Sequence, residues 1–468
     1  MSTALVWFRR DLRLTDQPAL HRAMQAHERI IPVYLHVPLE EAPWMPGAAS
    51  RWWLHHSLAA LDAALRQRGS RLILRQGDSL FLLRQLLRET GATAVYWNRC
   101  YEPALIARDR ALKVALRAEG FIAESASATL LIEPWSLLKA DATPYQVFTP
   151  FWKAALQKLP PAAPLPIPTL AGPERWPDAL PLEALQLLPR IRWDAGLAAT
   201  WRPGEAGALA RLESFCATAL TDYAQERDWP GRDGVSRLSP HLHFGEISPR
   251  QIWAAVANAT NGDPFSSKGA ATYLREIGWR EFAHSVLYHW PHTPEQPLQQ
   301  RFAAYPWRDD DAALFQAWQQ GRTGYPLIDA GMRQLWQTGW MHNRVRMLVA
   351  SFLVKNCRIP WQKGARWFWE TLVDADLANN TLGWQWTAGC GVDAAPYFRV
   401  FNPFLQGAKF DPDGAYIRRW IPELATVPTA AIHQPWTLTS KLDYPAPIID
   451  FATSRAEALA SWERIKGA

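Results

Sequence analysis

The chain has 468 residues, 48% of them apolar and 20% charged, with a formal net charge of +6. That composition fills a sizeable core and excludes wholesale disorder, and at about 150 residues per domain it allows two large domains or three smaller ones. No run approaches the roughly 18 apolar residues of a membrane span, and the apolar Ala4–Phe8 runs straight into Arg9, Arg10 and Asp11, unlike a secretory signal.

Ala4 to Phe8 reads as a buried strand, followed by a helix from Pro18 to about His27 and a strand from Ile30 to Val37. Ser50 is the expected N-cap of an amphipathic helix that stops before Gly69. Leu72–Leu74, Thr93–Trp97 and Phe121–Ala123 read as strands, separated by helices running from an Asp78 cap to Gly91 and from Pro103 to Glu119. Strands alternating with helices of this length imply βαβ units and a parallel, doubly wound sheet. The first strand is followed by Arg-Arg-Asp-Leu-Arg, not G-x-G-x-x-G, and there is no P-loop. Residues 1–130 are therefore expected to form an α/β domain without the dinucleotide fingerprint. Residues 131–200 read as a connector, with the proline-rich Leu159–Pro168 crossing the surface in extended form. From about Trp201 the period becomes 3.6: Leu209, Leu212, Cys216, Leu220 and Tyr223 step along one helical face. Further helices are expected at Pro249–Asn258, Gly269–Trp290, Asp309–Gln320, Tyr325–Gln337, His342–Lys355 and Gly364–Leu372, which makes 201–468 an all-α domain.

The positive charge is compatible with a polyanionic partner. Of the 26 tryptophans, 17 lie beyond residue 200, where they either fill a core or touch a flat π-system such as a base or cofactor ring. Cys100, Cys216, Cys357 and Cys390 are far apart and form no C-x-x-C, so neither a disulfide framework nor a cysteine zinc site is expected, and a cytoplasmic location fits.

Four segments of the helical half carry chemistry. Gly234-Val-Ser-Arg-Leu-Ser-Pro240 is either an ordinary helix cap or a set of donors for a phosphate. Glu276, Trp279 and Arg280, at i, i+3 and i+4, are either a surface ion pair beside a core tryptophan or a face for a heterocycle next to a phosphate. Trp340, Asn343, Arg344 and Met347 form a stripe that is too polar for a core and suits a pocket wall. In Asp374-Ala-Asp376-Leu-Ala-Asn379-Asn380, the two carboxylates either bind magnesium, although no third hard ligand is nearby, or orient a cation and accept from ring N–H groups. The following Trp384-Gln-Trp386 fits a strand, with both tryptophans on one side, or a helix, in which they diverge.

Taken in order with Val-Trp-Phe-Arg-Arg-Asp-Leu-Arg at the start, Gly-Trp-Met-His-Asn-Arg-Val-Arg-Met and Asp393-Ala-Ala-Pro-Tyr-Phe-Arg-Val-Phe-Asn-Pro403, these motifs resemble the photolyase/cryptochrome family, and within it the cyclobutane pyrimidine dimer (CPD) DNA photolyases. The resemblance spans residue 5 to about 452. It implies a carbon–carbon lyase that binds FAD in its helical domain and, in light, passes an electron from the reduced, anionic flavin to a pyrimidine dimer in UV-damaged DNA. It further implies that Tyr223, Ser236, Leu238, Ser239 and Arg280 surround the FAD phosphates, and that Val235, Arg237 and Trp340 are also cofactor-binding positions. Arg346, Asp374, Ala375, Asp376 and Asn380 would surround the isoalloxazine, with Asn380 facing N5. Glu276, Trp279, Asn343, Arg344, Met347 and Trp386 would form the lesion pocket, and Arg227 and Arg399 would contact DNA phosphates. Trp384, Trp361 and Trp307 would form the chain that reduces the flavin.

Val235 stands where the family usually has threonine, and Tyr273 where many members have tryptophan. Tyr101-Glu102-Pro103 is followed by Ala104-Leu105 instead of the Asn-Glu of folate-binding members, which leaves the antenna chromophore open. A (6-4) photolyase would carry histidines in place of Asn343 and Met347. A cryptochrome photoreceptor, the alternative function, would tend to differ at Asn380 and to have a long C-terminal tail. A light-independent, tryptophan-rich nucleic-acid-binding module would have no use for Asp374, Asp376 and Asn380 together. The expectation is a monomer with no protein partner, no metal and no membrane contact.

Overall fold

The computed structural model describes residues 2–308, 310–394, 398–439 and 442–467. Five parallel strands, β1 (Thr3–Phe8), β2 (Arg29–His36), β3 (Ile73–Gln76), β4 (Ala94–Asn98) and β5 (Ile122–Ala126), form one sheet in the order β3-β2-β1-β4-β5. Leu5 sits in register with Ile31 on one side and Val95 on the other. The crossovers are α1 (Pro18–Ala26), α2 (Ala48–Arg66), α3 (Ser79–Thr90) and α4 (Pro103–Ala118). Both faces of the sheet are covered, which is why its central strands are almost uniformly apolar. Asp78 caps α3 by accepting from the Phe81 N–H at 2.8 Å, and Gly91 ends it at φ 64°. The expected Ser50 cap is displaced: α2 starts at Ala48 with Gly47 as N-cap, and the Ser50 hydroxyl lies one turn inside, 3.5 Å from the Leu372 carbonyl.

The strands of the doubly wound sheet reverse order between β1 and β4, the place where such folds bind ligands. Here that crevice is largely filled. Arg9 and Arg108 stack on the Trp7 ring, Arg9 pairs with Asp109, Arg10 pairs with Glu41 and Glu102, and a cavity of about 60 Å³ remains.

The stretch 131–200 is more structured than a bare connector. It contains α5 (Phe148–Leu156) and α6 (Ala195–Thr200), while Leu159–Pro168 has no helix or strand, as proline chemistry requires. The helical region then runs α7 (Glu205–Thr218), α8 (Tyr223–Glu226), α9 (Ser239–His243), α10 (Pro249–Ala259), α11 (Lys268–His289), α12 (Ala312–Gln319), α13 (Pro326–Thr338) and α14 (Asn343–Ser351). A π-helical turn, Phe352–Asn356, follows. The chain continues with α15 (Trp361–Thr371), α16 (Leu377–Ala388), α17 (Pro403–Phe410), α18 (Ala415–Trp420) and α19 (Phe451–Ile465). The helical face drawn through Leu209–Tyr223 breaks after Thr218, because Tyr223 opens a separate short helix, and Leu209 at its start is exposed. Asp309, the expected start of α12, lies outside the described residues.

The two halves share apolar surface. Trp53 of α2 packs against Trp201 and Phe244, and its indole N–H donates to the buried Glu246 at 3.0 Å. Among the described residues no helix is long and apolar enough to cross a membrane.

Candidate functional site

A cavity of about 540 Å³ opens between α8, α11, α14 and α16. Its size lies within the roughly 300–1,000 Å³ usual for organic ligands. It gathers Arg227, Glu276, Trp279, Asn343, Arg344, Arg346, Met347, Asp374, Ala375, Asp376, Asn380, Trp384 and Trp386, drawn from four separate stretches of sequence.

The floor is built by the turn into α16. Arg346 donates through Nη2 to both oxygens of Asp374, at 3.0 and 2.8 Å, and through Nε to the Met341 carbonyl at 2.8 Å. Asp376 is the N-cap of α16: its Oδ1 accepts from the Asn379 N–H at 2.9 Å. Its Oδ2 lies 3.7 Å from His243 and 3.6 Å from His284. Burial pushes the Asp376 carboxyl up, but His284, His243 and Arg280 outweigh that and hold it well below the usual carboxylate range. The two carboxylates are thus committed to different partners, and among the described residues no group of three or more His, Cys, Asp or Glu side chains is placed to hold a metal ion. Asn380 donates its amide to the Ala365 carbonyl at 3.0 Å, which leaves its oxygen as an acceptor; this amide orientation follows from the hydrogen-bond network.

The rim is built by α8, α11 and α14. Glu276 pairs with Arg227, and Arg344 donates to Asp228 at 2.8 Å. Trp279 stacks on Phe148 at 3.8 Å with rings 9° apart, so one indole face is covered. The connector residue Phe148 was not singled out from sequence, because an isolated apolar side chain signals nothing about its partner. Trp384 and Trp386 do lie on a helix and diverge. Trp384 is buried against Phe368 and Trp318, with ring centroids 5.0 and 6.3 Å away, and Trp386 is half-buried at the rim. Gly364 permits this packing, since a Cβ there would stand 2.1 Å from the Trp384 ring.

Several expected positions lie elsewhere. Arg280 does not line the main cavity. On a helix its neighbours at −1 and −4 are rotated by about 100° and 40° from it, and it faces the sheet half, donating to the Thr129 carbonyl at 2.6 Å. Next to it, the buried Glu281 accepts from the Leu131 and Ile132 N–H groups; burial pushes its carboxyl up to about 7. Trp340 precedes α14 and so leaves the stripe, packing on Trp201 and donating to the Ser239 hydroxyl at 3.3 Å. Trp361 is buried in the helical core and Trp307 stacks near Tyr305; neither lines the cavity. Arg399 is exposed beside a neighbouring cavity, and Ala395, Pro396 and Tyr397 of its motif lie outside the described residues. Sequence reasoning missed Asn379, Leu382, Thr387 and Asp393, which also line the main cavity.

The segment Val235–Ser239 passes close to Trp340. Val235 and Leu238 pack into the core, and Tyr223 meets Tyr273 edge-on at 5.2 Å. Ser236 Oγ lies 3.4 Å from the Leu238 N–H. Arg237 has the left-handed φ of 51°, lies 5.4 Å from the Trp340 ring, and keeps its buried Nε without a partner. The His342 ring accepts the Arg344 N–H on Nδ1 at 3.2 Å. Burial, with Arg344, Arg237 and Arg346 assisting against Asp228, lowers its pKa to about 3. The neutral ring therefore carries its proton on Nε2, a second buried donor without a partner. Two unsatisfied donors beside two serine hydroxyls fit an anionic, phosphate-bearing ligand. None of these four lines the main cavity, where the Arg346 cation and the Asn380 amide oxygen fit an electron-rich ring.

Comparison with known proteins agrees with this reading. Residues 4–170 match the family model described as DNA photolyase, and residues 273–464 match the FAD binding domain of DNA photolyase. The chain is 46% identical to a deoxyribodipyrimidine photo-lyase of Agrobacterium fabrum, over 99% of this chain and 98% of that protein. It is 40% identical to Cryptochrome-2 of Arabidopsis thaliana, over 96% of this chain and 77% of that one. The crystal structure of a class III photolyase from Agrobacterium tumefaciens superposes with a TM-score of 0.95 at 45% identity, covering 100% of this chain and 98% of that one. The chain belongs to the DNA photolyase/cryptochrome family.

Proposed function

We propose that this protein is a deoxyribodipyrimidine photo-lyase that repairs cyclobutane pyrimidine dimers in UV-damaged DNA. The observation that carries the reading is one cavity with two chemistries: Arg346, Asp374 and Asn380 at its floor, and Glu276, Trp279, Arg344 and Trp386 at its rim. Reduced FAD bound at the floor would supply the light-driven electron transfer that splits the dimer, with no net change of redox state. The phosphates fall to Ser236, Arg237, Ser239 and His342, and the ring to Arg346, Asp374, Asp376 and Asn380.

Each side chain then has a physical task. Asp374 fixes the Arg346 guanidinium so that its positive charge offsets a negative ring; at an effective dielectric of about 20, charges 4 Å apart interact by roughly 4 kcal/mol. Asn380, anchored on Ala365, presents an oxygen able to accept a ring N–H. Trp384, packed behind the floor, serves as the first relay for electrons entering from the surface. Trp279, backed by Phe148, offers its free face to a pyrimidine, and Trp386 offers the opposing wall; such stacking is worth about 1–3 kcal/mol per base. The dimer must leave the duplex stack to enter. Arg227 orients Glu276 toward a base edge, Arg344 is held by Asp228 as a donor for the negative charge that the opening dimer carries, and Asn343 beside it on the cavity wall adds an amide donor. The reading includes a cytoplasmic monomer with damaged DNA as its partner, in keeping with the +6 charge and four unpaired cysteines.

The test is illumination of the flavin-loaded, reduced protein with UV-damaged oligothymidine while absorbance at the thymine band is followed. Recovery of absorbance that depends on light is expected. Its absence with flavin bound and reduced would overturn the assignment.

A further inference from the structure

A second cavity, of about 220 Å³, adjoins the first and shares Trp386 and Thr387 with it. Its charge is one-sided. Arg301, Lys355 and Arg399 line it, and among the described residues no carboxylate does. Arg301 donates to the Gln299 side chain at 2.7 Å and lies over the Trp462 ring. Lys355 donates to the Arg399 carbonyl at 2.6 Å and lies 4.4 Å from the Phe398 centroid. Arg399 lies 4.8 Å from the Phe401 centroid. Among the described residues none of the three has an ion-pair partner.

Lys355 is the unusual member. It is only 5% exposed, and it sits in the π-helical turn Phe352–Asn356, a distortion that gathers at functional sites. A buried ammonium without a counter-charge is costly, and burial lowers its pKa to about 7, with Arg399 acting the same way against Cys390. An anion in the cavity would supply the missing partner. The three cations share one cavity wall but differ in burial, from the exposed Arg399 through the half-buried Arg301 to the buried Lys355.

We propose that this cavity is a phosphate subsite that grips one backbone phosphodiester of the strand beside the everted pyrimidine pair, with Lys355 as its buried cation and Arg301 as its second donor. The inference rests on the DNA-repair reading above: a strand whose pyrimidines enter between Trp279 and Trp386 brings a flanking phosphate past Trp386, the wall the two cavities share.

The experiment uses flavin-loaded Lys355→Met and Arg301→Gln. Binding to a dimer-containing oligonucleotide is measured from low to moderate salt, with one methylphosphonate placed in turn at each position around the lesion. Flavin content and Trp384-dependent photoreduction serve as checks of folding. Each variant is expected to flatten the log affinity against log salt slope by about 1, the signature of one lost phosphate contact. One methylphosphonate position that weakens the unmodified protein is expected to have no effect on Lys355→Met. A merely structural lysine would change neither the slope nor the position. Should Lys355→Met fail to fold, Arg301→Gln carries the same readout. Normal lesion binding by the unmodified protein with unchanged slopes in the variants overturns the subsite alone. Failure of the unmodified protein to prefer damaged DNA overturns the repair reading, and the subsite with it.

Discussion

Replacing Asp374 by asparagine removes the counter-charge that both contacts of 3.0 and 2.8 Å supply and leaves Arg346 with neutral acceptors only, one amide oxygen and the Met341 carbonyl. The pair is worth roughly 4 kcal/mol by Coulomb's law at an effective dielectric of 20. The Asp374 side chain is 3% exposed but that of Arg346 is 24%, so solvent screens part of this loss. Stranding a fully buried charge costs about 3–5 kcal/mol, and with this access to water a loss of about 2–3 kcal/mol is expected. At roughly 2–4 °C per kcal/mol, the melting midpoint of the flavin-loaded protein should fall by about 4–12 °C. Thermal unfolding followed by circular dichroism at equal flavin content reads this directly. The double variant Arg346→Met/Asp374→Asn should lose less than the sum of the two single changes, because it strands no charge. A midpoint for Asp374→Asn within a degree of the parent, or strict additivity in the double variant, would refute the claim that this pair holds the floor of the site.

Trp384→Phe should slow photoreduction of oxidised flavin at least tenfold, while repair by chemically reduced protein proceeds; unchanged photoreduction would remove Trp384 from the electron route. Glu276→Ala should lower repair yield severalfold without weakening binding to undamaged DNA, since it also releases Arg227 from its ion pair; parallel losses in both assays would make Glu276 structural only. His342 has a folded-state pKa of about 3, below its ordinary value of about 6.5, so its contribution to stability is present above pH 6.5 and lost as the pH falls toward 3. The expected slope is about 1.4 kcal/mol per pH unit for this one proton, and His342→Gln should flatten the urea midpoint between pH 6.5 and 4; an identical slope would show that other groups govern acid unfolding.

The parallel sheet was legible in the sequence because alternating strand and helix periods, with Asp78 and Gly91 as punctuation, are local signals. The family was legible because its motifs are contiguous: Asp374–Asn380 lies on one turn, and Asn343–Met347 on another. Where local rules failed, a distant partner had won. Ser50 yielded its cap to Gly47 and turned toward Leu372, and the Leu209–Tyr223 face broke where a second helix started. The sequence placed Trp384 and Trp386 two residues apart without saying whether they agree or diverge; tertiary packing of α16 against α15, with glycine at 364, set one inward and left the other at the rim. The same holds for Arg280, Phe148 and the carboxylate-free cavity around Lys355. Periodicity and motif record what neighbours along the chain do to one another, whereas the direction of a guanidinium or the absence of a counter-charge depends on residues that only folding brings within a few ångströms.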